Sequence, residues 1–145
     1  TIAMSVSQIS VFLESRPGHL KRVLDSFEEN GINVRGFSAA DTGDYGIVRF
    51  ILDDPKRGQE VLKANKTAVV VSEVLCVRLD DIPGELARVV GIISTHANIV
   101  YSYSLVSTFI VFCVEDLASV ESLLEKQPVE IVTQEKLAET FSEMS

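Results

Sequence analysis

Arg16-Pro17-Gly18-His19-Leu20 returns as Ile82-Pro83-Gly84-Glu85-Leu86, 66 positions later (83 minus 17). Working outward, Ile9-Ser10-Val11-Phe12-Leu13 falls on Leu75-Cys76-Val77-Arg78-Leu79 at the same offset. Downstream, Ile32-Asn33-Val34 falls on Ala97-Asn98-Ile99 (97 minus 32, or 65). Phe50-Ile51-Leu52-Asp53-Asp54 then falls on Phe112-Cys113-Val114-Glu115-Asp116 (112 minus 50, or 62). The drift is confined to a helix and a hairpin turn, where insertions are tolerated. Four segments kept in order amount to a duplication.

Each copy reads strand, helix, strand, strand, helix, strand. Ile9, Val11 and Leu13 alternate with Gln8, Ser10 and Glu14, the period of a strand. Leu20, Val23, Leu24 and Phe27 recur at helical spacing, with Gly31 as the stop. Strands are expected from Val34 to Ala39 and from Ile47 to Leu52, joined by a turn through Thr42-Gly43-Asp44. Asp54-Pro55 starts a second helix, with Asp as cap and Pro in the first turn. Val61 and Leu62 anchor it, and Val69-Val70-Val71 is the fourth strand. In the second copy Leu86, Val89, Val90 and Ile93 mark one helix and Val120, Leu123 and Leu124 the other. Glu130-Ile131-Val132 ends it. The join, Ser72-Glu73, lies inside an extended run from Val69 to Leu79, with no room for a flexible linker. The expected organisation is therefore α+β, two ferredoxin-like βαββαβ modules over residues 1–72 and 73–145. The last stretch, from Glu135, reads equally as a short helix or a frayed end.

Composition narrows the function. Of 145 residues, 46% are apolar and 23% charged, enough to bury a core. A formal charge of −8 argues against nucleic acid and against anionic membranes. There is no bilayer-length apolar stretch, and Thr1-Ile2-Ala3-Met4-Ser5-Val6 has neither the basic leader nor the long apolar run of a signal peptide, so the cytoplasm is the expected location. Cys76 and Cys113 each sit in an apolar run, as buried free thiols do. With His19 and His96 as the only histidines, and no zinc-type spacing, neither metal nor cofactor is expected.

A βαββαβ unit whose first strand ends in Pro-Gly-x-Leu, followed one helix later by Asn and an aliphatic residue, resembles the ACT domain. That family's pattern runs acidic-x-Pro-Gly-x-Leu, then a helix, then Gly-x-Asn-Ile/Val. Here it reads Ser15-Arg16-Pro17-Gly18-His19-Leu20 with Gly31-Ile32-Asn33-Val34, and Asp81-Ile82-Pro83-Gly84-Glu85-Leu86 with His96-Ala97-Asn98-Ile99. Ser15 replaces the acidic residue in the first copy and His96 the glycine in the second, so the two sites are not equivalent. The resemblance implies a free-standing tandem ACT protein: a non-enzymatic amino-acid sensor acting on an enzyme or regulator partner. It further implies that the loop of one module and the Asn of its neighbour meet across a shared interface.

The residues themselves suit such a ligand. A loop entering a helix leaves backbone N–H groups unpaired where the helix dipole is positive, a seat for a carboxylate. Gly lets a ligand approach closely and Pro fixes the loop. An Asn amide both donates and accepts. The candidate ligand-contacting residues are Arg16, Gly18, His19, Leu20, Ile32 and Asn33 in one copy, and Ile82, Gly84, Glu85, Leu86 and Asn98 in the other. Against this, Pro-Gly before a helix is often a plain turn, and Asn often serves a left-handed backbone. His19 reads as a solvated loop residue beside the ligand, not a catalyst.

Three other readings compete. Val11-Phe12-Leu13 and Tyr45-Gly46-Ile47-Val48-Arg49-Phe50 loosely echo RNA-recognition motifs, but the second copy has Arg78 and Ser107 at the places of Phe12 and Tyr45. Asp41-Thr42-Gly43 echoes an aspartic-protease loop, yet Val106-Ser107-Thr108 offers no second one and a hairpin turn explains it. The main alternative is a ligand-free assembly module. Finally, the sheet face away from the helices is apolar too: Phe12, Ile47 and Ile51 in one copy, Cys76, Phe109, Val111 and Cys113 in the other. Such a face is expected to be covered. A homodimer does so most simply, unless the chain's own sheets cover each other.

Overall fold

The computed structural model describes residues 5–14, 16–41, 43–105 and 108–144 of the chain, with side chains through residue 139. Thr42 of the expected turn, Ser15 of the first loop and Val106-Ser107 lie outside the described residues. The chain divides into two compact units. One is Ser7–Ser72; the other runs from Glu73 onward and includes Val6 of the N-terminal end.

The first unit holds β1 (Val6–Glu14) from Ser7 on, α1 (His19–Glu29), β2 (Val34–Asp41), β3 (Tyr45–Leu52), α2 (Pro55–Ala64) and the opening of β4 (Val69–Arg78). Its sheet runs β2-β3-β1, with the start of β4 beyond β1. β3 pairs antiparallel with both β1 and β2. Ile9↔Phe50 and Val11↔Val48 stand opposite one another on the helix-facing side. They meet Val23 and Phe27 of α1 and Val61 and Leu62 of α2 in one core. Phe27 sets its edge against Phe50 at 5.2 Å, a geometry that adds about 0.5–1.5 kcal/mol beyond burial.

The helix ends follow local chemistry. Asp54 accepts the Arg57 N–H at 3.1 Å, capping α2. Gly31 stands at φ 67° after α1, where Gly31 N–H bonds the Glu28 carbonyl and Ile32 N–H the Phe27 carbonyl. This is the double C-terminal turn of a helix closed by a left-handed glycine.

The second unit repeats the plan. The rest of β4 is its first strand: the extended run read from Val69 to Leu79 is a single strand that ends at Arg78. Then come α3 (Glu85–Ser94), β5 (Ile99–Ser104), β6 (Phe109–Val114), α4 (Leu117–Glu125), β7 (Glu130–Ile131) and α5 (Gln134–Met144). Its sheet runs β5-β6-β4-β7. Leu75, Val77 and Phe112 pack on Val89 and Ile93 of α3 and Val120 and Leu124 of α4. The chain end left open by the sequence is helical, with Leu137 fully buried. α3 ends without a left-handed residue: His96 and Ala97 both donate to the Ile93 carbonyl. A histidine can therefore replace the family's glycine there.

Residues on the faces away from the helices are largely buried within the single chain. Ile51, Cys76 and Val111 are fully covered and Phe109 nearly so, whereas Phe12 stays 41% exposed.

Candidate functional site

Both Pro-Gly loops turn on a left-handed glycine, Gly18 at φ 89° and Gly84 at φ 90°. A side chain in this region costs about 1–2 kcal/mol, so the backbone itself demands glycine. Each glycine is the N-cap of the helix that follows, and neither loop supplies a side-chain cap. The Arg16 carbonyl takes the His19 N–H at 3.4 Å, and the Ile82 carbonyl takes the Glu85 N–H at 3.3 Å. The N–H groups of His19 and Glu85 are thus taken up within their own loops. A Cβ placed at either glycine would meet nothing within 4 Å, so the outer side of each loop is open.

A groove lies beside each loop. In the first unit about 440 Å³ opens between Arg16, His19, Leu20 and the far ends of β2 and β3 at Asp41 and Gly46. In the second about 380 Å³ opens between Asp80, Asp81, Ile82, Leu86 and Thr108. The two are matched in place, and two carboxylates line each: Glu14 and Asp41 in the first, Asp80 and Asp81 in the second. Arg16 also lines the first, where it contacts Glu14 at 3.1 Å.

The predicted residues separate into groups. Arg16, His19 and Leu20 line the first groove, and Ile82 and Leu86 the second, each beside its glycine. Glu85 is instead held by Arg88 at 2.8 and 3.0 Å, and those hydrogen bonds keep its carboxyl below the usual range. Ile32 is buried in the core beneath the turn that ends α1. His19, read from sequence as a solvated loop residue, is the first residue of α1 and half-buried, because Arg16 holds its ring. Asn33 and Asn98 lie in neither groove. Their backbones do matched work: the Asn33 carbonyl accepts from Asp53 N–H at 3.1 Å and that of Asn98 from Glu115 N–H at 3.2 Å. Among the described residues positive φ outside glycine occurs only at Lys66 and Asp116, so neither Asn is there for a left-handed backbone. Their exposed amides are available.

Sequence reasoning missed Asp80, Thr108 and Asp41 as groove residues. Asp41 carried a signal, since Asp41-Thr42-Gly43 was noted as a motif; its carboxylate accepts the Gly43 N–H at 2.7 Å, as a hairpin turn requires. Asp80 and Thr108 carried none, because their proximity comes from strand pairing. Among the described residues no cluster of His, Cys, Asp and Glu could hold a metal ion, and no helix is long and apolar enough to cross a membrane.

The sequence profile of the ACT domain pair matches residues 4–141. The chain belongs to the ACT domain family. ACT domains are regulatory, small-molecule-binding units rather than catalytic ones, and this pair takes that role. A protein of Bacteroides thetaiotaomicron is similar over 95% of this chain and 99% of that one, at 29% identity and a TM-score of 0.90. The regulatory subunit of aspartate kinase from Thermus thermophilus, in its ligand-free form, shares the ACT pair fold at 19% identity and a TM-score of 0.62, over 84% of this chain and 89% of that one. The corresponding subunit from Thermus flavus does so at 17% identity and 0.58, over 83% and 89%. No curated protein sequence matches the chain.

Proposed function

We propose that this ACT pair senses a free amino acid and passes its occupancy to a partner enzyme or regulator. The observation that carries the reading is the pair of grooves, each set beside a Pro-Gly loop whose glycine leaves the first helical turn uncapped. An uncapped helix start seats the ligand's carboxylate. The second half of each site is the Asn of another module, Asn33 for the Gly84 loop and Asn98 for the Gly18 loop. Two facts support that assignment: neither amide lies in the groove of its own unit, and neither Asn is needed for a left-handed backbone. The second groove has Asp81 at the family's acidic position, where the first copy has Ser15, which suits the ligand's ammonium, so the Gly84 site is the stronger of the two.

A thermal-shift screen of the free amino acids tests this. A ligand at 100 times its Kd adds about 2.7 kcal/mol of stability, a visible shift in a chain of this size. Silence across the whole set would leave the ligand-free assembly reading in its place.

A further inference from the structure

Arg22 and Arg88 hold the same place in the two repeats (88 minus 22, or 66), as the fourth residue of α1 and of α3. Arg88 is fully engaged. It donates to both carboxylate oxygens of Glu85, at 2.8 and 3.0 Å, and to the Pro128 carbonyl at 3.0 Å. In the first unit the residue at the place of Glu85 is His19 (85 minus 19, again 66). An imidazole cannot neutralise a guanidinium, and no carboxylate pairs with Arg22 among the described residues.

This position opens on a cavity of about 360 Å³. Leu13, Val23 and Leu62 give it an apolar side, and His19, Arg22 and Asn65 a polar one. The His19 ring is fixed by Arg16. Arg16 carries only donors, so His19 Nε2, at 3.1 and 2.6 Å from the guanidinium, must accept, and the ring proton lies on Nδ1. That Nδ1 is buried and has no hydrogen-bond partner among the described residues. A buried donor without an acceptor is costly to keep.

We propose that this cavity binds a small aliphatic carboxylate. The ligand's carboxylate takes toward Arg22 the place that Glu85 takes toward Arg88, and its hydrocarbon body lies against Leu13, Val23 and Leu62. His19 lines the cavity beside Arg22, at the position that Glu85 holds in the second unit. The site shares Leu13 and His19 with the Pro-Gly groove but is set apart from it by Arg22 and Asn65, and its ligand needs no ammonium group.

The test is titration of the ¹⁵N-labelled chain with isovalerate and with isovaleramide, its uncharged isostere, followed by two-dimensional NMR. Isovalerate is expected to shift the resonances of Arg22, Asn65 and the His19 ring saturably, and the amide to shift none of them. Arg22→Gln should weaken isovalerate by about tenfold or more, the loss of a hydrogen bond to a charge. Because Arg22 is exposed, that variant keeps the native spectrum. Arg88→Gln should leave affinity unchanged. His19→Glu, which writes the second unit's ion pair into the first, should abolish binding. Equal binding of acid and amide, undiminished affinity in Arg22→Gln, or no saturable shift into the tens of millimolar would each overturn the assignment.

Discussion

Cys76 shows what a residue's surroundings do to its chemistry. Fully covered in β4, its thiol is pushed up to about 12 by burial. The folded chain therefore holds this proton more tightly than the unfolded one. The resulting stability is complete below the ordinary thiol value and is lost as pH rises toward about 12. At pH 8, iodoacetamide should leave Cys76 unmodified in the native chain and alkylate it once denaturant is added, as read by peptide mass. Modification of native Cys76 at the rate of a free thiol would contradict its placement. That Cys76 is buried was legible from its apolar run. The role of His19 was not, because it depends on Arg16, three residues away, turning back to hold the ring. Ile32 misled for a related reason: the motif that places Asn33 at the site also places its neighbour in the core.

At the level of elements the sequence was most informative where periodicity and punctuation agreed. The Gly31 stop and the Asp54-Pro55 start both appear as read, since each depends on a single residue's backbone. Where α3 ends, the signal fails: His96 needs no special conformation, and the chain stops on bonds to one carbonyl. Two helical glycines give a direct test of the packing. Gly91, in α3, faces open space, so Gly91→Ala should stabilise the chain by about 1 kcal/mol through helix propensity alone. Gly58, buried in α2, has Leu52 Cδ1 and Ile9 Cδ1 where a side chain would go. Gly58→Val should therefore cost about 1–3 kcal/mol by overpacking. Chemical denaturation measures both, and a stabilising Gly58→Val would mean that α2 does not pack on β1 and β3 in this way.

At the scale of the whole molecule, duplication supplied the fold: two copies of one motif in the same segment order leave few topologies open, and the strand orders follow from them. The grooves were only half legible, since the loops announce themselves in sequence, whereas Asp41 in one groove and Asp80 and Thr108 in the other reach their loops through pairing of strands distant in sequence. The apolar outer faces bear on assembly. With Ile51, Cys76 and Val111 already buried in one chain, what remains for a second copy centres on Phe12 and Tyr45, 41% and 45% exposed with ring centroids 6.4 Å apart. A homodimer over this patch is expected, so light scattering should report twice the 15.9 kDa chain mass, and Phe12→Glu should return the monomer. A monomeric native chain at micromolar concentration would count against it. The central claim, that the Pro-Gly grooves hold an amino acid closed over by an Asn from another module, is tested most directly by calorimetric titration. The amino acid that the thermal screen returns is titrated into the native chain, Asn33→Ala and Asn98→Ala. The account predicts that Asn33→Ala weakens the Gly84 site by about 1.5–3 kcal/mol, roughly ten- to a hundredfold in affinity, and that Asn98→Ala removes the weaker one. Unchanged affinity in both variants, with circular dichroism confirming that they are folded, would contradict it.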